Sequence, residues 1–206
     1  MSGEALLVRA LASPEPAADP ASERILDAAL DLAAASGLKH LTMDAAASRA
    51  GVGRMTVYRR FGDREGLIDA LAARESRRCI AALDEAIDPK LPVGEGIALG
   101  FVASIGLIRS HPLLDRFARH EPEAALAALN ADNGAILKMG REFVATRIRD
   151  AQARGDLDAS VDATQAAEIL VRLGFSFLLM PESSLALDDP EAAAETARAL
   201  ISPILG

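Results

Sequence analysis

Between Gly53 and Gly62 the chain reads RMTVYRRF. On a helix, Val57 and Phe61 are four apart and share one face. Arg54, Met55, Tyr58 and Arg59 then lie on the other side. That set has the chemistry of a groove reader. Arg54 can form paired hydrogen bonds to a guanine edge. The hydroxyls of Thr56 and Tyr58 can reach phosphate oxygens. Arg59 and Arg60 can meet phosphate charge. Thr42, opening the preceding helix with its free backbone N–H groups, is a second phosphate anchor. Arg64, in the first turn of the next helix, is a third. From Thr42 to Arg64 there are five Arg against two Asp. A short arginine helix alone also fits a solvated surface, so the decision rests on the elements around it.

Those elements read as follows. Ser22 caps a first helix in which Ile25, Ala28, Ala29 and Leu32 recur at helical spacing, and Gly37 ends it. Thr42 caps a short second helix with Met43, Ala46, Ala47 and Ala50 inward, and Gly51 stops it. Gly51-Val52-Gly53 is a tight turn that leads into the RMTVYRRF helix, with Val52 plugging the gap between the two. Two short helices joined in this way form a helix-turn-helix. Asp63 caps the next helix, which carries Leu67, Ile68 and Leu71. Residues 88–96 (DPKLPVGEG) read as a loop. Further helices are expected over about 97–109, 113–119, 124–154 (bent near Asn133-Gly134), 162–179, and between Pro190 and Ser202. No strand pattern and no internal repeat is present. The fold class is all-α. The domains are a flexible arm (1–21), a helix-turn-helix domain (22–75) and a helical C-terminal domain (76–206).

Composition sets bounds. The formal charge of −8 argues against a non-specific nucleic-acid coat protein. Yet residues 21–78 carry ten bases to eight acids, and residues 79–206 carry eleven bases to nineteen acids. That asymmetry points to an anionic partner for the N-terminal part. The single cysteine, Cys79, fits a reducing compartment. No secretory leader is visible, and the apolar run Ile169–Met180 is too short for a membrane span, which needs roughly 20 residues. A cytoplasmic location and no membrane partner are expected. Three His and one Cys make no metal constellation. No nucleophile elbow, phosphate loop or dinucleotide fingerprint occurs. The chain is read as a non-enzyme without cofactor or metal.

With the motif in place, LTMDAAASRAGVGRMTVYRRFGDREGLIDAL (residues 41–71) resembles the TetR family of one-component bacterial transcription regulators. The opening ERILDAALDLAAASG is similar too, and the likeness covers about residues 22–75. It implies phosphate contacts for Thr42, Thr56, Tyr58 and Arg64, and base contacts for Arg54, Met55 and Arg59. Two positions depart from the family pattern. Gly53 stands where a capping Ser is usual, and Gly66 where an acid often completes a capping box.

Beyond residue 80 the resemblance is weaker, but SHPLLDRFARHEPEAAL and AAEILVRLGFSFLLMPESSLALDDPEAA still look like one branch of these regulators. The family implies a helical ligand-binding domain and a homodimer built from its last two long helices, here 124–154 and 162–179. The residues agree in part. The 169–179 segment is apolar almost all round, so several sides must be covered. A partner subunit meeting Ile169, Leu170, Leu173 and Phe177 satisfies this, and so does a fully intrachain core helix. Phe101, Ile105, Phe117, Leu137, Met139, Phe143, Phe175 and Met180 are candidate pocket walls. Arg172 is a candidate polar residue of the pocket and, if buried, needs an acidic partner such as Glu121, Asp132 or Glu142.

The expectation is a homodimeric regulator, a repressor that grips double-stranded operator DNA and is released by a small apolar or amphipathic effector. Release would act through the spacing of the two recognition helices. The other class open to this sequence is a helical ligand-binding or interaction module without sequence-specific DNA binding.

Overall fold

The computed structural model describes residues 19–88, 91–180, 182–187 and 189–204; the side chains of 124, 127, 128, 131–133, 135, 190 and 202 lie outside that description. Among these residues the chain is helical, without strands. The helices are α1 (Pro20–Ser36), α2 (Met43–Ala50), α3 (Arg54–Phe61), α4 (Arg64–Ala86), α5 (Val93–Ser110), α6 (Pro112–His120), α7 (Pro122–Arg154), α8 (Ala163–Leu179) and α9 (Pro190–Leu200). Short 3-10 turns stand at Leu38–His40 and Ser202–Ile204. Two compact units divide between Cys79 and Ile80.

Residues 1–18 of the expected arm lie outside the described residues. Residues 19–21 form the start of α1, with Asp19 and not Ser22 as its cap. The Asp19 carboxylate accepts from Ala21 N at 3.3 Å, and Pro20 takes the first helical position, where no N–H is needed. Ser22 sits inside the first turn and donates its hydroxyl to Asp19 at 3.0 Å. The core of the first unit is built from Ile25, Leu26, Ala29, Leu41, Met43, Ala46, Val57, Leu67 and Leu71, all buried. Apart from Leu41, which lies in the connection before α2, these are the inward positions of the four amphipathic helices.

The same unit buries a charge. The Arg74 guanidinium bonds Asp27 at 2.7 Å, Glu75 at 2.7 Å and Glu23 at 3.2 Å, and Arg78 joins Glu23 at 3.1 Å. Several carboxylates around one buried guanidinium offset its desolvation. One of its nitrogens, Nη2, is buried without a partner among the described residues.

In the second unit, α5 packs against α6, α7, α8 and α9. It is 18 residues long with a mean hydropathy of 1.4, enough by length and composition to cross a membrane; here it is the central helix. It starts earlier than expected. Val93-Gly94-Glu95-Gly96 is helical rather than loop. The glycines there serve packing: a Cβ on Gly96 would lie 3.5 Å from Ile87, and one on Gly100 would lie 3.0 Å from it. The core combines Ile97, Ala98, Ile148, Ala163, Ala166, Leu170, Ala197 and Ile201. Within α7, Gly134 has a φ of 73°, outside the right-handed helical region, at the place where a bend was expected. Asp162 caps α8 by accepting from Thr164 N and Gln165 N at 2.9 and 3.0 Å.

Candidate nucleic-acid interface

The turn forms as its residue types require. Thr42 Oγ1 accepts from Ala45 N at 3.1 Å and caps α2. Gly51 takes a left-handed conformation (φ 64°), which a side chain would resist, and Val52 N reaches back to Ala47 O at 3.0 Å. Gly53 starts α3 with extended backbone and no side-chain cap. Val57 is fully buried, Phe61 half-buried, and Met55 is 76% exposed. The helix is thereby seated by one face.

The outward face collects Arg54, Met55, Thr56, Tyr58 and Arg59. Tyr58 is half-exposed rather than core. Arg54 is organised by neighbours. Its Nη2 donates to Tyr58 Oη at 3.3 Å, its Nε lies 2.8 Å from Asp44 Oδ1, and its guanidinium stands 5.3 Å from the Tyr58 ring centroid. The Tyr58 hydrogen bond first, and the Asp44 charge second, raise the Arg54 pKa above its ordinary value. Asp44 escapes a reading that counts cations; the signal for it was an acid in the first turn of a helix ten residues before an arginine.

Two expected phosphate contacts are employed elsewhere. Arg60 Nε donates to Asp19 at 2.6 Å and Ser22 Oγ at 3.1 Å, tying α3 to the α1 cap. That hydrogen bond is the main reason the Asp19 carboxyl is held below its usual range. Arg64 donates through Nε to Leu41 O at 2.8 Å and through Nη2 to Leu38 O at 2.6 Å. Both arginines lie on sides of their helices that turn inward. Their guanidiniums satisfy backbone and cap oxygens, leaving Thr42, Arg54, Met55, Thr56, Tyr58 and Arg59 as the outward set.

The departure at Gly66 has a steric cause. Gly62 ends α3 with a φ of 78°, and Gly66 N donates to the capping Asp63 at 2.8 Å. A Cβ on Gly66 would stand 2.1 Å from the Phe61 carbonyl oxygen. The turn is so tight that an acid cannot occupy this position.

The second unit holds an apolar cavity of about 190 Å³. Of the candidate walls, Phe101, Phe143 and Phe175 line it. Ile105 is buried away from it, and Phe117, Leu137 and Met139 are not among its walls; Met180 is 66% exposed. Arg172 is a correction: it is exposed, bonding Glu168 at 2.6 Å one turn away, so burial never obliges it to find a partner. Leu170 is another: assigned to a subunit interface, it is buried in the chain's own core and lines the cavity. Phe177 likewise packs inward, edge-to-face on Phe101 with centroids 6.0 Å apart. Ile169 and Leu173 do face outward, 50% and 38% exposed. Arg147, which spacing did not single out, is the cation in the cavity wall. No group of residues suited to hold a metal ion occurs among the described residues.

Comparison with known proteins agrees with this geometry. Residues 25–71 match the family model described as bacterial regulatory proteins, tetR family. The HTH-type transcriptional regulator UidR of Escherichia coli K12 is 27% identical over 193 residues, covering 91% of this chain and 94% of UidR. The HTH-type transcriptional regulator AlkX of Mycobacterium tuberculosis is 28% identical over 186 residues, covering 88% and 83%. The solved structure of Salmonella enterica GusR superposes with a TM-score of 0.66 at 21% identity, covering 94% of this chain and 99% of GusR, a likeness of fold. With a Thr-capped helix, a left-handed glycine turn and an outward Arg54/Tyr58 face, residues 25–71 form a helix-turn-helix of the tetR-family type, and the chain is similar over most of its length to HTH-type transcriptional regulators.

Proposed function

We propose that the protein is a homodimeric repressor that binds a partly palindromic operator and leaves it when a small molecule enters the second unit. The observation that carries this reading is the outward face of α3. Arg54, Met55 and Arg59 meet base edges, while Thr42, Thr56 and Tyr58 hold phosphates. Two copies are needed because successive major-groove faces recur about 34 Å apart. The apolar pair Ile169 and Leu173 on α8, exposed in the single chain, supports a subunit contact there. The cavity walled by Phe101, Phe143 and Phe175 supports an effector with an apolar body. Occupancy lowers operator affinity, and by reciprocity operator DNA lowers effector affinity. A DNA target puts the protein in the cytoplasm, where it acts without catalysing a reaction.

The test is a mobility shift with DNA flanking the protein's own gene, from about 50 to about 200 mM salt. Selective binding with a steep salt dependence is expected. Equal, weak binding to all DNAs would leave a helical ligand-binding module instead.

A further inference from the structure

Resting on the effector-responsive reading, we infer that the cavity takes an amphipathic monocarboxylate, its chain or ring among the phenylalanines and its carboxylate on the Arg147 guanidinium. Nearly all the wall is apolar, including Leu83, Ile97, Phe101, Phe143, Leu170 and Phe175. Two side chains in it carry polar atoms. Ser104 spends its hydroxyl proton on Phe101 O at 2.7 Å. Arg147 is the other, and among the described residues the only cation in the lining.

Arg147 is unevenly served. Its guanidinium carbon stands 3.5 Å from the centroid of the Phe143 ring, and Nη1 donates to Phe143 O at 3.0 Å. Nη2 pairs with Asp84, whose side chain is 56% exposed against 27% for Arg147. Burial pushes the Arg147 pKa down, with Asp150 opposing. The anion of this pair lies on the solvent side and the cation on the cavity side. An entering carboxylate can take the guanidinium while Asp84 returns to water at little cost. A neutral apolar molecule gains nothing from Arg147, and a dianion would bring more charge than one guanidinium matches.

Size narrows the class further. An apolar cavity of 150 Å³ is enough to hold benzene. At about 190 Å³, this one fits a somewhat larger body, such as a medium-length acyl chain. Gly174 borders the space: a Cβ there would meet only Ser104 Oγ, at 4.0 Å.

The test is calorimetric titration of the full-length protein with octanoate and with octanol. Octanoate is expected to bind about tenfold or more tighter than octanol. Arg147→Gln should erase the difference by weakening the acid alone, and Gly174→Leu should abolish both. Should Arg147→Gln fail to fold, Asp84→Asn decides, because removing the competing carboxylate should raise the acid-to-alcohol preference several-fold. Equal binding of the two probes, no binding of either, or a preference unchanged in Arg147→Gln or Asp84→Asn would overturn the inference. Operator release is scored separately by mobility shift. Acid binding without release would sink the effector reading and leave the ligand class standing; release by neutral compounds alone would do the reverse.

Discussion

Arg54 Nε sits 2.8 Å from Asp44 Oδ1, so the principal base-reading candidate on α3 is held by an acid on α2 before DNA arrives. Both side chains are exposed, so the pair adds little to stability. Its effect is on orientation and on competition with phosphate. Arg54→Ala is expected to cost roughly 1–3 kcal/mol of operator affinity and to relax preference at one base position. Asp44→Asn should raise affinity for unrelated DNA more than for operator, narrowing the ratio between them. Competitive mobility shifts measure both; an unchanged ratio in Asp44→Asn would show that the acid is a bystander.

Tyr58 and Thr42 are expected to act without regard to sequence. Tyr58→Phe removes a hydroxyl that accepts from Arg54 at 3.3 Å and can reach a phosphate, so all operator variants should weaken alike. Thr42→Ala loses the α2 cap as well, at about 1 kcal/mol of stability. A panel of single-base operator variants separates uniform from position-specific losses.

Arg64 should behave as a structural residue. Its fork closes on the Leu38 and Leu41 carbonyls and ties the start of α4 to the connection before α2. Arg64→Ala is expected to cost about 1–3 kcal/mol in urea unfolding. Below the transition, operator affinity should change far less than in Arg54→Ala. The reverse ranking would restore the phosphate role expected for Arg64.

The Asp19–Arg60 pair makes a pH-dependent contribution. The Asp19 carboxyl is depressed below its ordinary 3.8 by the Arg60 hydrogen bond. Its contribution is therefore complete above that value and drains as pH falls through the lower, folded one. Asp19→Asn should be less stable than the parent near neutrality, with the gap closing below about pH 4. Thermal melts across pH check this; a gap constant with pH would mean that charge is not what Asp19 supplies.

A charge on the outward side of α8 should separate the subunits. Leu173→Glu changes a residue 38% exposed in the single chain, so the monomer should fold while dimerisation weakens. Light scattering should show a shift to monomer, with operator affinity falling in parallel. A fully dimeric Leu173→Glu protein would move the subunit contact elsewhere.

What could be read in advance follows from locality. Thr42, Gly51, Val57 and Phe61 are close in sequence, so cap, turn and inward face are dictated by spacing alone. The Asp19 cap was harder, because Asp19 and Ser22 are both good cap residues three apart and only backbone conformation chooses between them. Arg59, Arg60 and Arg64 look alike as letters. Which of them turns inward depends on oxygens from Asp19, Leu38 and Leu41, up to 41 residues away. The cavity needed convergence of α4, α5, α7 and α8, so periodicity found three of its phenylalanines but not Arg147. For α8, an all-round apolar pattern could not tell Leu170, which faces its own core, from Ile169 beside it.

The 2.1 Å gap between a would-be Cβ of Gly66 and the Phe61 carbonyl gives the reading helix an unexpected weak point. Its seating depends on the emptiness of a place outside it. One added methyl group would push against main chain that has no side-chain slack to give, and the displacement would fall on the end of α3. The protein's grip on its target would thus be lost while every arginine, threonine and tyrosine of the outward face stayed in the sequence.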